Sequence, residues 1–228
     1  MFALNFESIN DPEGISIQDL IPGTTEGLFG GTAATGDQIQ IYNPETGSYK
    51  NYYLSFQKSG PLVKNNWKWM DGTAVATAKF KNGDSFWYRS KGEADVTVSL
   101  AGGVSLDVAQ TINIVPGYNM IGSAFPANFN PNSLGDEYWA ASGAFGGTAA
   151  TGDQIQVYNP ETGSYKNYYL SFQKSGPLVK NNWKWMDGTT VLADDTEVLS
   201  AGKGAWYRFK GETPFILTIP SPIAKTAK

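Results

Sequence analysis

The chain has 228 residues, 17 basic against 21 acidic groups and a net charge of −4, with no block of like charge. That balance argues against nucleic acid as a partner, because phosphate binding needs clustered Lys and Arg, and no window nears the ~18 apolar residues of a membrane helix. Cysteine and histidine are both absent, which removes disulfides, thiolate nucleophiles, Cys-bound zinc and every Ser–His or Cys–His pair.

The opening MFALNFES has no basic n-region and no apolar run ahead of a small-residue cleavage site. No signal peptide is therefore expected there, and the chain is either cytosolic or a mature or excised piece. Helical periodicity never lasts three turns. Two short helical pieces are expected, Ile17–Leu20 and 133–140, the second capped by Asn132 or Ser133 with Asp136 and Glu137 in its first turn.

Strand signals dominate. Residues 38–42 alternate, putting Ile39 and Ile41 on one face, and Asn43-Pro44-Glu45-Thr46-Gly47 makes a turn in which Pro presets one dihedral and Gly accepts positive φ. The next predicted strand, 49–56, sends Tyr52, Leu54 and Phe56 to the core and pairs back as a hairpin. After Ser59-Gly60-Pro61, residues 66–70 read as a strand with Trp67 and Trp69 on one face. Asn82-Gly83 signals a hairpin between 76–81 and 84–90, and 94–100 alternates as a closing strand.

Residues 29–73 then recur at 145–189, identical at 44 of the 45 positions, with Val157 for Ile41. Recent duplication or homogenisation explains this, or else a surface that must be presented twice; both readings stay open. The spacing of 116 residues sets a domain period. The second unit repeats the same elements, Trp206-Tyr207-Arg208 answering Trp87-Tyr88-Arg89, and closes at 215–219. Ahead of its copied block lie two strand-like segments, GGVSLDVAQTINIVPGYNMIGSAFP, against only MFALNFESINDPEGISIQDLIPG ahead of the first. The first unit thus reads as starting one strand late. The expected fold is all-β: two tandem antiparallel β-sandwich-like or small open-barrel domains with short helical pieces, at 1–103 and 104–228, divided near the Ala-Gly-Gly at 101–103.

The set Asn119-Met120-Ile121-Gly122 with Phe125-Pro126, then 152–158, then Gly204-Ala205-Trp206-Tyr207 resembles the tandem β-rich modules of large secreted or surface-attached bacterial proteins. The resemblance covers most of the second unit and the first from Gly36 onward, while Leu4-Asn5-Phe6 answers it loosely. It implies an extracellular or cell-surface location and tandem architecture. It implies no catalytic residues.

Tyr49, Tyr53, Trp67 and Trp69, with their copies Tyr165, Tyr169, Trp183 and Trp185, are the candidate ligand-binding residues. Flat rings flanked by amides suit a pyranose, with core packing or subunit contact as the plainer alternatives. Asp37, Asp153, Asp71 and Asp187 are read as turn residues. Asn128, Asn130, Asn132, Asp136 and Glu137 alternate oxygen donors in a weakly calcium-like way, but the Gly of such a loop is out of place. Asp194, Asp195 and Glu197 read as a solvated loop. The Gly30–Gly36 stretch lacks the Lys-Ser/Thr ending of a phosphate loop and is expected to be a flexible connection. No carboxylate pair is placed for acid–base work, so no enzymatic activity and no cofactor are expected. The expected function is a structural subunit of an extracellular or cell-surface assembly, a homo-oligomer or polymer of filament or surface-layer type. It could be joined by strand donation, with the N-terminal segment, 104–115 or 220–228 as donor. The alternative is a bivalent, lectin-like protein with glycan partners.

Overall fold

Two halves carry the same antiparallel sheet. The computed structural model describes residues 1–8, 11–100, 102–105 and 107–222, so residue 101 of the expected boundary and 223–228 of one expected donor lie outside the described residues. In the first half the strands are β1 (Phe2–Ala3), β2 (Ile15–Ser16), β3 (Gln38–Asn43), β4 (Ser48–Leu54), β5 (Trp69–Asp71), β6 (Ala74–Val75), β7 (Lys79–Phe80) and β8 (Ser85–Arg89), with helix α1 (Ile17–Leu20) after β2. Six of them form one sheet in the order β1-β8-β3-β4-β5-β6, and β2 pairs with β7.

The second half holds β9 (Ala109–Ile114), β10 (Gly117–Gly122), helix α2 (Asp136–Ser142), β11 (Gln154–Asn159), β12 (Ser164–Leu170), β13 (Trp185–Asp187), β14 (Thr190–Val191), β15 (Gly204–Phe209) and β16 (Phe215–Pro220). Its sheet runs β10-β15-β11-β12-β13-β14, and β16 pairs separately with β9. The fold is all-β, in two halves of antiparallel sheet with short helices and no closed barrel.

The alternation read in the sequence sets both cores. Ile39, Tyr52 and Leu54 are buried with Leu4, Ile17, Leu20, Trp69, Phe80 and Phe86 in the first half. Ile155, Tyr168 and Leu170 are buried with Trp139, Trp185, Tyr207 and Phe215 in the second. The copied tryptophan meets different neighbours in each. Trp69 Nε1 donates to the Ile21 carbonyl at 2.6 Å, whereas Trp185 Nε1 has no partner and its ring packs edge-on to Trp139 at 5.2 Å.

Several expectations are corrected. Phe56 is not core: the strand ends at Leu54, the Phe56 amide donates to the Gly31 carbonyl, and its side chain is exposed. Trp67 and Trp69 do not share a face, because Trp67 sits at φ 61 and breaks the period of two just before β5. The strands flanking Asn82-Gly83 do not pair with each other; β7 joins β2 and β8 joins β1 and β3, so long-range pairing overrides the local turn. Residues 94–100 form no strand: Ala94 lies in a bend and 95–100 join no sheet. The piece at 133–140 divides at Gly135 (φ 84) into a 3₁₀ turn, Pro131–Leu134, capped by Asn130, and α2. Nor is the Gly30–Gly36 stretch a loose connection: Gly31 N–H donates to Leu54 O, Gly36 N–H to Thr32 O, and the hydroxyls of Thr32 and Thr35 are hydrogen-bonded.

The halves meet through the sheet faces turned away from these cores. Tyr42 lies edge-on to Trp206 and Trp87 edge-on to Tyr158. β1 also reaches across: Ala3 N–H donates to Gly202 O at 3.0 Å and Gly204 N–H to Met1 O at 3.3 Å.

Candidate functional site

Each half builds a buried aspartate into the end of its sheet. Asp37 accepts from the amides of Phe29 and Lys91 and from the Tyr88 hydroxyl at 2.6 Å. Asp153 repeats this with Phe145, Lys210 and Tyr207, the last at 2.8 Å. Burial pushes Asp153 up to about 6, against those three donors. Burial and the adjacent carboxylate push Tyr88 and Tyr207 far above the usual phenol range. These aspartates are more than turn residues: each ties the start of a copied block to the strand that closes the sheet. Both oxygens of each carboxylate accept these bonds, so the side chain is a tie within the fold.

The calcium-like run is likewise spent on backbone. Asn130 donates to the carbonyl of Ala193, and Asn132 bonds Trp185 N–H and the carbonyls of Trp185 and Leu192. Asn128 accepts from Ala201 N–H, and Asp136 faces Lys184 at 3.6 Å. Among the described residues no cluster of three or more acidic side chains converges as a metal site. In the first half Gln18 does the work of Asn132, bonding Trp69 N–H and the carbonyls of Trp69 and Ala76.

The eight candidate aromatics separate into three groups. Trp69 and Trp185 are fully buried in the two cores; Tyr53 and Tyr169 are nearly so, on the same strand face as Tyr49 and Tyr165, with the Tyr53 hydroxyl donating to Gly72 O at 2.9 Å, so none of these four presents its ring to solvent. Trp67 and Trp183 stand at the outer edge, packed at 5.0 Å against Phe56 and Phe172 with the rings tilted by 45° and 44°. They are the only non-glycine residues at positive φ among the described residues, a conformation that costs of order 1–3 kcal/mol. The chain accepts that cost twice.

Tyr49 and Tyr165 lie between the halves. There Tyr42, Tyr49, Tyr118, Gln156, Tyr165 and Trp206 line an open cavity of about 290 Å³. Burial, then the nearby Tyr165 and Tyr42, raise Tyr49 above the usual phenol range. Tyr42, Tyr118, Trp87, Tyr158 and Trp206 were not singled out from sequence. The signal was present: they alternate with core residues of β3, β8, β10, β11 and β15, so they belong to the opposite face of each sheet.

The two halves differ most at one edge. β1 pairs Phe2 with Phe86 and Ala3 with Ser85, as β10 pairs Ile121 with Ala205 and Gly122 with Gly204. The first half thus starts at the level of Met120, and among the described residues nothing stands where β9 stands in the second. Residues 96–100, the counterpart of β16, pair with no strand. Beside them opens a cavity of about 410 Å³ walled by Phe2, Phe6, Phe86, Val96, Val98 and Leu100. Comparison with known protein families, curated proteins and solved structures gives no match.

Proposed function

We propose that this chain is a non-enzymatic structural subunit of an extracellular or cell-surface assembly, of filament or surface-layer type, whose subunits join through the open edge of the first half. The observation that carries the reading is the contrast between β16, paired along its length with β9, and residues 96–100, which have no such partner among the described residues. An unpaired edge beside exposed apolar side chains (Phe2 50%, Leu100 43% exposed) is a template for intermolecular pairing. Among the described residues this contrast sets the first half apart from the second, so contact through 96–100 would be heterologous, and such contacts propagate. Sedimentation and negative-stain imaging test this: polymers or oligomers are expected to form with concentration and to be lost in Leu100→Lys. A chain that stays monomeric at high concentration overturns it.

A second reading, a bivalent carbohydrate-binding protein, is favoured by the duplicated outer pairs Phe56–Trp67 and Phe172–Trp183. Trp67, Phe56 and Phe172 are exposed and Trp183 is half-buried; each Trp is held in a strained backbone, and the pair is supplied twice, which suits weak sites that gain by avidity. Glycan-array binding is expected to fall sharply in the double variant Trp67→Ala, Trp183→Ala with the fold retained; unchanged binding, or none by the parent chain, removes this reading.

A further inference from the structure

We infer that the cleft between the two halves binds a neutral saccharide. This site shares no residue with the edge at 96–100 or with the outer tryptophans, so it stands or falls apart from both readings above.

Tyr42 walls two cavities at once. One is the aromatic cavity already described. The other, of about 440 Å³, lies between the turn at 82–85 of the first half and β9 and β10 of the second. Its volume is in the range of small-molecule sites, roughly 300–1,000 Å³, and such sites favour boundaries between domains.

The polar groups of this larger cavity divide by origin. Gln110 and Asn119 come from the second half, and both side-chain amides are already spent on backbone. Gln110 bonds Ala124 N–H and Gly122 O, and Asn119 bonds Val115 N–H and O. The turn of the first half supplies the groups with capacity left. Asn82 Oδ1 and Ser85 Oγ are buried without a hydrogen-bond partner, and Ser85 as a whole is only 8% exposed. Between them, Asp84 accepts from Lys81 N–H through Oδ2 at 2.7 Å, and burial pushes its carboxyl up. Ser55 Oγ and Ser171 Oγ are unpartnered as copies of one position, whereas Asn82 and Ser85 are not copied. Aligned on Trp87 and Trp206, the second half has Ala201, Lys203 and Gly204 where the first has Asn82, Asp84 and Ser85. These polar groups belong to the first half alone, at the place where it meets β9 and β10.

Their chemistry sets the ligand. An amide oxygen and a carboxylate only accept, and a serine hydroxyl does either, so the ligand must bring several donors. Two unpaired acceptors beside a carboxylate disfavour an anion. A cation is disfavoured too, because Lys79 lines the cavity and Lys81 lies close enough to Asp84 to oppose its rise. A neutral ligand rich in hydroxyls meets both conditions. The same cavity is walled by Tyr42, Phe80, Ile112 and Met120, which suits the C–H face of a pyranose. Past Tyr42 the rings of Tyr118, Tyr165 and Trp206 offer a second sugar unit a stacking surface.

The probes are cellobiose, maltose, lactose and N,N′-diacetylchitobiose, each titrated into the full chain and followed by amide NMR shifts. At least one is expected to saturate below about 10 mM, shifting the Asn82 side-chain amide and the Gly83 N–H. Ser85→Ala deletes an unpartnered hydroxyl, so its melting temperature is expected to hold or rise while binding weakens at least about tenfold. Asp84→Asn, which keeps the side chain's shape, is expected to weaken binding by a similar factor. The double variant Trp67→Ala, Trp183→Ala is expected to bind as the parent does. No saturable shift with any of the four sugars, shifts that spare Asn82 and Gly83, or equal affinity in both cleft variants overturns the inference. So does a Ser85→Ala chain that melts lower, which marks the hydroxyl as structural. Loss of binding in the outer double variant alone overturns the cleft site and keeps the carbohydrate reading at the outer pairs. Binding of glucosamine, the cationic control, in place of all four neutral sugars marks a cation site and likewise overturns it.

Discussion

Tyr42 lies edge-on to Trp206 with 4.9 Å between ring centroids, and Tyr158 meets Trp87 in the same way at 5.1 Å. Since Tyr158 is the copy of Tyr42 and Trp206 answers Trp87, each half offers the other the same pair of groups, the signature of a two-fold contact. One chain thus contains a dimer of its own halves. The symmetry is imperfect, because β10 extends four residues beyond the level at which β1 begins and brings Tyr118 to 5.8 Å from Trp206. Trp206 also touches Tyr49 and is 6% exposed. Trp206→Ala is expected to cost about 3–5 kcal/mol and Trp87→Ala roughly half as much. Denaturant unfolding of the two variants checks this; equal losses would contradict the asymmetry.

The Asp153–Tyr207 pair gives stability a pH dependence of definite sign. Asp153 stands at about 6 in the fold against an ordinary 3.8, so it is the carboxylate that burial penalises. The contribution is fully present below about pH 4 and lost as pH rises through about 6, a change of roughly 2–3 kcal/mol. Thermal melts between these values should show it. Tyr207→Phe removes one of the donors that hold the carboxylate down, so it should move the titration upward and cost about 1–3 kcal/mol at neutral pH.

The copied tryptophans offer a matched comparison. Trp69→Phe leaves the Ile21 carbonyl without its donor, whereas Trp185→Phe deletes an N–H that already has no partner. The first substitution is expected to cost about 1–2 kcal/mol more than the second, measured by chemical denaturation of the two single variants. The reverse order would refute the account of their surroundings.

Gly122 is where β10 crosses the first half most closely. A Cβ there would stand 2.2 Å from Ala3 Cβ and 2.6 Å from Ser85 Oγ, so Gly122→Ala should cost about 1–3 kcal/mol by forcing the halves apart. Gly103 has nothing within 4 Å of its Cβ position, and Gly103→Ala should be neutral or stabilising by under about 1 kcal/mol. Differential scanning calorimetry of both would separate contact from backbone effects.

What was legible in the sequence was whatever depended on local alternation and turn chemistry. The β3–β4 hairpin, its copy and the helix at Ile17–Leu20 all fell where the residues placed them. Period-two reasoning failed at Trp67, since a single left-handed residue reverses every later side chain and nothing in the Trp-Lys-Trp run signals it. Residues 94–100 alternate as well as β16 does, yet a strand is a property of two segments, and among the described residues none pairs with this one. Tyr49 and Tyr53 share one face of β4, as alternation places them, but that face is covered as well, by the other half at Tyr49 and near Gly72 at Tyr53, and no local pattern signals the cover.

The copied block also poses a sorting problem during folding. The β3–β4 hairpin and the β11–β12 hairpin differ by one methylene, worth about 0.8 kcal/mol, so either can seat against β8 or β15. Chain connectivity adds about 1 kcal/mol in favour of the nearer partner through loop-closure entropy. Together these allow crossed pairing to trap a measurable share of molecules refolding from denaturant. Vectorial synthesis relieves the ambiguity, since the first half can close around its own hairpin before the second hairpin has left the ribosome. Refolding yield should accordingly rise when Val157 and its neighbours are made less like their copies.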